Sequence, residues 1–257
     1  MVLLHPRRLL AAALALALAA PQLAPASEPG ASDAPRQERF SGVARGRDGR
    51  VLYVEEHQVR RAGDRVLAAS TTYRAPSGAV IAVLESDYAS DPWAPSYRFE
   101  DRRTGRVEAV ETGPAGATLE AGGRRVLLGR PGPGQPPLVG GQGLDQLVRA
   151  RLDALRAGQR LTVAFAIPSR QEAFEFRLRA LPVEDAGDVV RVRVEVASWL
   201  LRLLAPHMEC DYDPVTRRLL RYRGPSNLEG EGGAHPDVEI TYDYSGRPDG
   251  EVALASP

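Results

Sequence analysis

The chain has 257 residues, 43% hydrophobic and 26% charged, the balance of a globular protein and not of a disordered or wholly membrane-embedded one. Its 33 basic residues match its 33 acidic ones, and the pI near 6.9 argues against an electrostatic binder of DNA or RNA. Apart from four His, every basic residue is Arg, with one Asn (Asn227) and few Ile; this is the composition of a GC-rich coding sequence, so the Arg excess is no nucleic-acid signal.

The first segment reads as a targeting signal. Arg7 and Arg8 supply the positive start, Leu9 to Ala20 is an unbroken Leu/Ala run, and Ala24-Pro25-Ala26 offers small residues at a cleavage point. Residues 1–26 are therefore expected to be a secretory signal peptide cut before Ser27. The apolar run is shorter than the roughly 20 residues that a membrane-spanning helix needs. No Cys lies near the cut, so an N-terminal lipid anchor is not expected, and the sole cysteine, Cys210, cannot form an internal disulfide. The expected location is the periplasm, as an exported, soluble protein that is not a lipoprotein.

Residues 27–39 are rich in Ser, Pro, Ala and acids and read as a disordered lead-in. Residues 40–257 read as a single β-rich domain. Strands are expected over Val51–Arg60, Val66–Arg74, Ala79–Tyr88, Tyr97–Arg102, Arg106–Glu111 and Arg124–Leu128, with turns at Ala62-Gly63-Asp64, Ser77-Gly78 and Thr104-Gly105. The Pro/Gly-rich stretch 129–143 reads as a loop, neither helix nor strand. Leu144 to Ala157 then forms the one clear helix: Leu144, Leu147, Val148, Leu152 and Leu155 share a face, and Gly158 suits its end.

Period-two alternation dominates the rest. Leu161-Val163-Phe165-Ile167, Phe174-Phe176-Leu178, Val190-Val192-Val194-Val196 and Val238-Ile240-Tyr242-Tyr244 each put apolar side chains on one strand face, the mark of half-buried antiparallel strands. Asp213-Pro214-Val215-Thr216 reads as a hairpin turn, and Ser198–Leu204 fits helix or strand equally. With roughly eleven strands and one helix, the fold class is α+β, mostly β: a curved antiparallel meander sheet, half-barrel or barrel-like, with one main helix.

One helix of 14 residues covers roughly 200 Å², whereas seven strands offer near 700 Å² of apolar face. The sheet must curl, meet the first-half strands, or leave a groove. If a cavity remains, Leu161, Phe165, Phe174, Phe176, Val192, Val194, Trp199 and Tyr242 are the residues expected to line it, and a lipid or other apolar small molecule is the ligand it would take.

Catalytic and metal signatures are missing, so no catalytic residue, metal or other cofactor is expected, and the balance is against an enzyme. His207, Glu209, Asp211 and Asp213 share one strand face, but four residues spread over about 20 Å, too far for one ion. Acidic neighbours disfavour a Cys210 thiolate. Glu55 and His57 share a face and read as a surface pair. Arg177, Arg179, Arg191, Arg193, Arg221 and Arg223 decorate polar faces, where cross-strand pairing with Glu175 and Glu195 would hold them. Arg and Glu through the strand centres are incompatible with lipid, so after signal cleavage no integral membrane protein is expected.

Two segments carry a resemblance. Cys210–Leu228 (CDYDPVTRRLLRYRGPSNL) with Pro236–Tyr244 (PDVEITYDY) resembles the C-terminal end of an exported proteobacterial family without assigned activity, and VLYVEEHQV and SGAVIAVLESDY look like its N-terminal strands. At the level of fold alone, an exported antiparallel meander with few helices is similar to the periplasmic lipoprotein-carrier half-barrels, which hold acyl chains against a curved sheet. The under-covered apolar sheet face points to a periplasmic protein that binds or carries a hydrophobic or amphipathic ligand. The alternative is a cell-envelope interaction or assembly protein with a filled core, whose partner is another envelope protein.

Overall fold

The computed structural model describes residues 34–183, 189–198 and 207–246. The expected signal peptide, Trp199 and nearly all of Ser198–Leu204 lie outside the described residues.

The chain makes two meanders that join in the middle of one sheet. The first runs β1 (Arg36–Arg45), β2 (Val51–Ala62), β3 (Arg65–Arg74), β4 (Val80–Asp87), β5 (Ser96–Asp101), β6 (Arg106–Gly113), β7 (Gly116–Ala121) and β8 (Arg124–Gly129). The second holds β9 (Leu138–Gly140), α1 (Gly143–Arg156), β10 (Leu161–Ile167), β11 (Glu172–Leu181), β12 (Val190–Val196), β13 (Met208–Tyr212), β14 (Leu219–Pro225) and β15 (Asp237–Asp243). The order is β8-β7-β6-β5-β4-β3-β2-β1-β15-β14-β13-β12-β11-β10-β9, antiparallel at every pairing except β9 with β10. Glycine permits the tight reversals: Gly63 closes β2 onto β3 at φ 55° and Gly105 closes β5 onto β6 at φ 72°.

This is the expected mostly-β, curved antiparallel sheet with one helix among the described residues. Three boundaries differ from expectation. β1 starts at Arg36, because residues 36–39 pair with β2 (Arg36 opposite Arg61, Arg39 opposite Gln58), so register with a neighbour overrides a lead-in-like composition. A strand also lies inside the expected loop: β9 pairs with β10 through Val139 opposite Phe165, and the Gly140 N–H donates to the Trp93 carbonyl. β7, with only six residues and two of them Ala, was below the reach of the alternation pattern.

The sheet curls. Val110, Ala117 and Leu119 from β6 and β7 pack with Ala166 from β10, with Leu128 of β8 and Leu138 of β9 against them, so the two sheet edges approach without hydrogen-bonding. α1 lies on the concave side. Leu147, Val148, Leu152 and Leu155 pack with Val163, Leu178, Val190, Val192, Val194, Cys210 and Tyr212 of β10–β13. Each of these four helix side chains contributes about 1.5–3 kcal/mol by leaving water.

The other half of the concave side belongs to aromatic rings. Tyr53, Tyr73, Leu84, Phe99, Val238 and Ile240 form the core of β2–β5 with β15, and Tyr222 and Tyr242 pack onto it. Gly42 on β1 makes room for this: a Cβ there would come within 2.8 Å of the Tyr242 ring and 2.9 Å of Ile240.

Candidate functional site

The residues expected to line a cavity do not form one group. Val192 and Val194 are buried beneath α1, and Leu161, Phe165 and Phe176 pack at the margin of the same cluster. Phe165 and Phe176 meet edge to face at 5.8 Å between centroids, and Phe174 is half-buried opposite Phe165 in the β10–β11 register. Tyr242 sits in the separate aromatic core. α1 lies over β10–β13, with Val192 and Val194 beneath its apolar stripe.

Inside the curl runs a hydrogen-bonded row that the sequence placed at the surface. His57 Nε2 lies 3.0 Å from Glu55 Oε2, and its Nδ1 lies 2.9 Å from Thr71 Oγ1. Gln142 Nε2, just before α1, donates to Thr71 Oγ1 at 2.8 Å, and the Tyr242 hydroxyl donates to Glu55 Oε2 at 3.2 Å. With the proton on Nε2 every link has one donor and one acceptor, from Gln142 through Thr71 and His57 to Glu55. Phe40 stacks on His57 at 4.4 Å. The surface assignment fails because alternation aims Tyr53, Glu55, His57 and Val59 to one face, and that face is the concave one. The row has the order acid, base, hydroxyl, yet Thr71 is 0% exposed and its oxygen already accepts from Gln142. Its evident work is to tie the start of α1 to β2 and β3.

Burial shapes the ionisation of this interior. All eight tyrosines have phenol pKa values raised, by burial first in each case. The Glu55 charge adds to the effect at Tyr53, Tyr73 and Tyr242. Burial likewise pushes the Cys210 thiol up, with Asp145 and Asp211 adding to it, the opposite of what a nucleophile requires.

The convex face carries an ion-pair ladder. Asp211 takes Arg191 on one side at 2.6 Å and Arg221 on the other, Glu209 takes Arg193, and Arg223 takes Glu239 at 2.6 Å. Cross-strand pairing holds Arg191, Arg193, Arg221 and Arg223 through β13 and β15 acids, and of the expected acids Glu195 receives Arg179 at 3.9 Å. Burial opposes ionisation of Asp211, yet hydrogen bonds from Arg191 and Arg221 outweigh it and keep the carboxyl below the usual aspartate range. No metal-ligating cluster occurs among the described residues, and His207 is exposed on the convex side, far in role from His57.

The concave surface opens at one end. Between the β6–β8 hairpins and the turn joining β10 to β11 lies a cleft of about 590 Å³. Glu108, Ala121 and Arg124 form one row across β6, β7 and β8, with Val107 and Val126 beside it, and Ser169–Glu172 face them. Arg106 is committed to Glu108 at 2.6 Å, to the Asn227 carbonyl and to the face of Phe99. The side chains of Arg124 and Arg170 are exposed and make no ion pair with a described residue. Among the described residues Gln171 is one of two non-glycine residues with positive φ, at 57°, and its side-chain Oε1 is buried with no hydrogen-bond donor among them. Strain and an unsatisfied buried acceptor therefore coincide at the one residue that caps this turn. Sequence reasoning missed the cleft, since its lining is short-range turn residues and a strand edge, with no periodic signal.

No protein-family model matches the chain, and no curated protein matches it. Among solved structures it is similar to a β-barrel-like protein of the domain of unknown function DUF1849 from Brucella abortus, at 7% identity and TM-score 0.37, over 82% of this chain and 97% of that one. A DUF1329 family protein from Desulfovibrio piger aligns at 11% identity and TM-score 0.28, over 83% and 85% of the two chains. A domain described as an outer membrane lipoprotein-sorting protein from Vibrio parahaemolyticus aligns at 9% identity and TM-score 0.27, over 82% and 85%. At these TM-scores the likeness is one of loosely similar curved sheets, and no chemistry transfers from it.

Proposed function

We propose that this is an exported protein that binds an amphipathic small molecule in the cleft at the open end of the curved sheet. The observation that carries the reading is the cleft of about 590 Å³ itself, walled by β6–β8 on one side and on the other by a turn that Gln171 caps at φ 57°. A space of this size suits a small ligand. The export assignment rests on residues 1–26 and places the binding event in the periplasm. The ligand-binding residues expected from sequence give way in this reading to the β6–β8 hairpins and the β10–β11 turn, since α1 fills the space over Val192 and Val194.

The test is native mass spectrometry of protein recovered from the exported fraction, beside an Ala121→Trp variant that fills the cleft. A stoichiometric amphiphile on the wild type that is absent from a folded Ala121→Trp protein is the expected result. A bare mass in both, after incubation with amphiphiles, or equal uptake by the variant, overturns the reading.

A second reading has its own observation. β8 pairs only with β7, and Leu127 on it is 57% exposed, so an unpaired edge and an apolar side chain occur together. Such an edge accepts an extended segment of an envelope protein as a further strand. Leu127→Lys is expected to abolish that association without altering uptake of a small amphiphile.

A further inference from the structure

We infer that the buried row ending at Glu55 is a proton-linked switch: His57 takes up one proton inside the folded protein, and the hydrogen bonds between Glu55 and Ser86 then reverse their direction. The row is longer than the groups that fasten α1. Ser86 Oγ donates to Gln142 Oε1 at 3.4 Å, and Ser86 also shares a hydrogen bond with the Tyr88 phenol. With His57 neutral, each group donates to the next, from Ser86 through Gln142, Thr71 and His57 to Glu55. Ser86, Thr71, His57 and Glu55 are buried, so each of their protons needs an acceptor inside the protein.

A proton from water adds at His57 Nδ1, the ring nitrogen that accepts from Thr71 in the neutral state. Nδ1–H then donates to Thr71 Oγ1, and the Thr71 hydroxyl turns its proton to Gln142. A half-turn of the Gln142 amide puts Oε1 where Nε2 stood, so Oε1 accepts from Thr71 and Nε2 donates to Ser86 Oγ. The Ser86 hydroxyl turns to the Tyr88 oxygen. The reversal works because the links are hydroxyls and one amide, groups that both donate and accept. Gln142 immediately precedes α1, so the state of His57 is felt at the start of the helix.

The new charge is also provided for. The imidazolium stands 3.0 Å from Glu55, whose Oε2 accepts from the Tyr242 hydroxyl as well. Phe40 lies nearly parallel to the His57 ring, at 4.4 Å and 9°, and offers its face to a cation. The other charges nearby are taken. Glu38, on the face of β1 that carries Phe40, holds Arg61 at 3.2 Å and Arg218 at 3.1 Å, and Asp145 on α1 holds Arg149 at 2.8 Å. The phenols of Tyr53 on β2, Tyr73 on β3, Tyr88 after β4, and Tyr242 and Tyr244 at β15 stay protonated, since burial raises all five. Among the described residues His57 is the one cation-forming group paired with Glu55.

The experiment is nuclear magnetic resonance of the nitrogen-labelled protein from the exported fraction, titrated from about pH 8 to about pH 5. The His57 ring nitrogens are identified by their loss in His57→Gln, and the Gln142 side-chain amide is followed beside them. Nδ1 is expected to pass from bare to protonated while circular dichroism stays native, and the Gln142 amide is expected to shift with the same midpoint. Thr71→Ser should keep the two transitions together. Thr71→Val cuts the middle link and should leave the Gln142 amide still while His57 titrates. An Nδ1 that stays bare until the protein unfolds overturns the inference. So does a Gln142 amide that ignores His57 in the wild type, or one that follows it equally in Thr71→Val. The wild type and Thr71→Ser decide by themselves if Thr71→Val does not fold.

Discussion

Raising the pH should unfold this protein abruptly, and its tyrosines give the scale. Tyr53, Tyr73, Tyr88 and Tyr212 are buried, the other four are half-buried, and all eight have raised phenol pKa values. An unfolded tyrosine releases its proton near pH 10. The folded state therefore holds more protons than the unfolded state above that pH, and linkage makes stability fall as pH rises; below pH 10 the contribution is fully present. At pH 11 each phenol costs about 1.4 kcal/mol of relative stability, and eight cost about 11 kcal/mol. A domain with a net stability of about 5–15 kcal/mol then unfolds between about pH 10.3 and 11.4. Cys210, buried with its thiol pKa also raised, pushes in the same direction. The assay follows tyrosinate absorbance and far-ultraviolet circular dichroism on the same samples over an alkaline series. One coincident transition, steeper than a one-proton curve, is expected. Tyrosinate forming along a one-proton curve near pH 10, with the dichroism still native, would refute the claim that burial controls these groups.

Other expectations follow from single contacts. Thr71→Val strands His57 Nδ1 and Gln142 Nε2 in the interior and should cost about 1–3 kcal/mol in denaturant unfolding; an unchanged midpoint would show that the row contributes nothing. Leu152→Ala opens a void beneath α1 and should cost about 2–5 kcal/mol, measured the same way. Asp211 has a depressed pKa in the fold, so its contribution is present above the unfolded value near 3.9 and lost as pH falls through the folded value. Asp211→Asn should accordingly lower stability at neutral pH and flatten its further loss below about pH 4; parallel acid curves for the two proteins would contradict this. Gln171→Gly removes a left-handed side-chain conformation worth about 1–2 kcal/mol, and a raised Tm alongside weakened ligand binding is the expected pair of changes.

Period and turn chemistry made most of the architecture legible. The alternation of Val190 to Val196 and of Val238 to Tyr244, the Gly63 and Gly105 turns and the Leu147–Leu155 stripe all reappear as elements with their expected faces. What escaped depends on partners distant in sequence. β9 exists because Val139 finds Phe165, and residues 36–39 are strand because β2 lies beside them. The alternation around His57 was visible, but which side of β2 would become concave was not, so a buried row read as a surface pair. The cleft was illegible for a different reason: it is defined by what curling leaves uncovered, and no local pattern encodes that remainder.

Joining the two meanders through β1 and β15 gives the chain an unusual assembly problem. Nearly every other antiparallel pairing is a hairpin between consecutive strands, a low-contact-order construction that can form as each strand emerges. Ser41 opposite Asp243 instead closes a loop of about two hundred residues, at an entropic cost of about 5 kcal/mol. That clasp is the last contact the polypeptide can make. Until β15 arrives, β1 presents an open edge, and the same edge on a second molecule is an equally good partner. Truncation before Asp237 removes β15 and should therefore yield oligomers that associate through the bare β1 edge, with the native monomer reserved for chains that complete their own clasp.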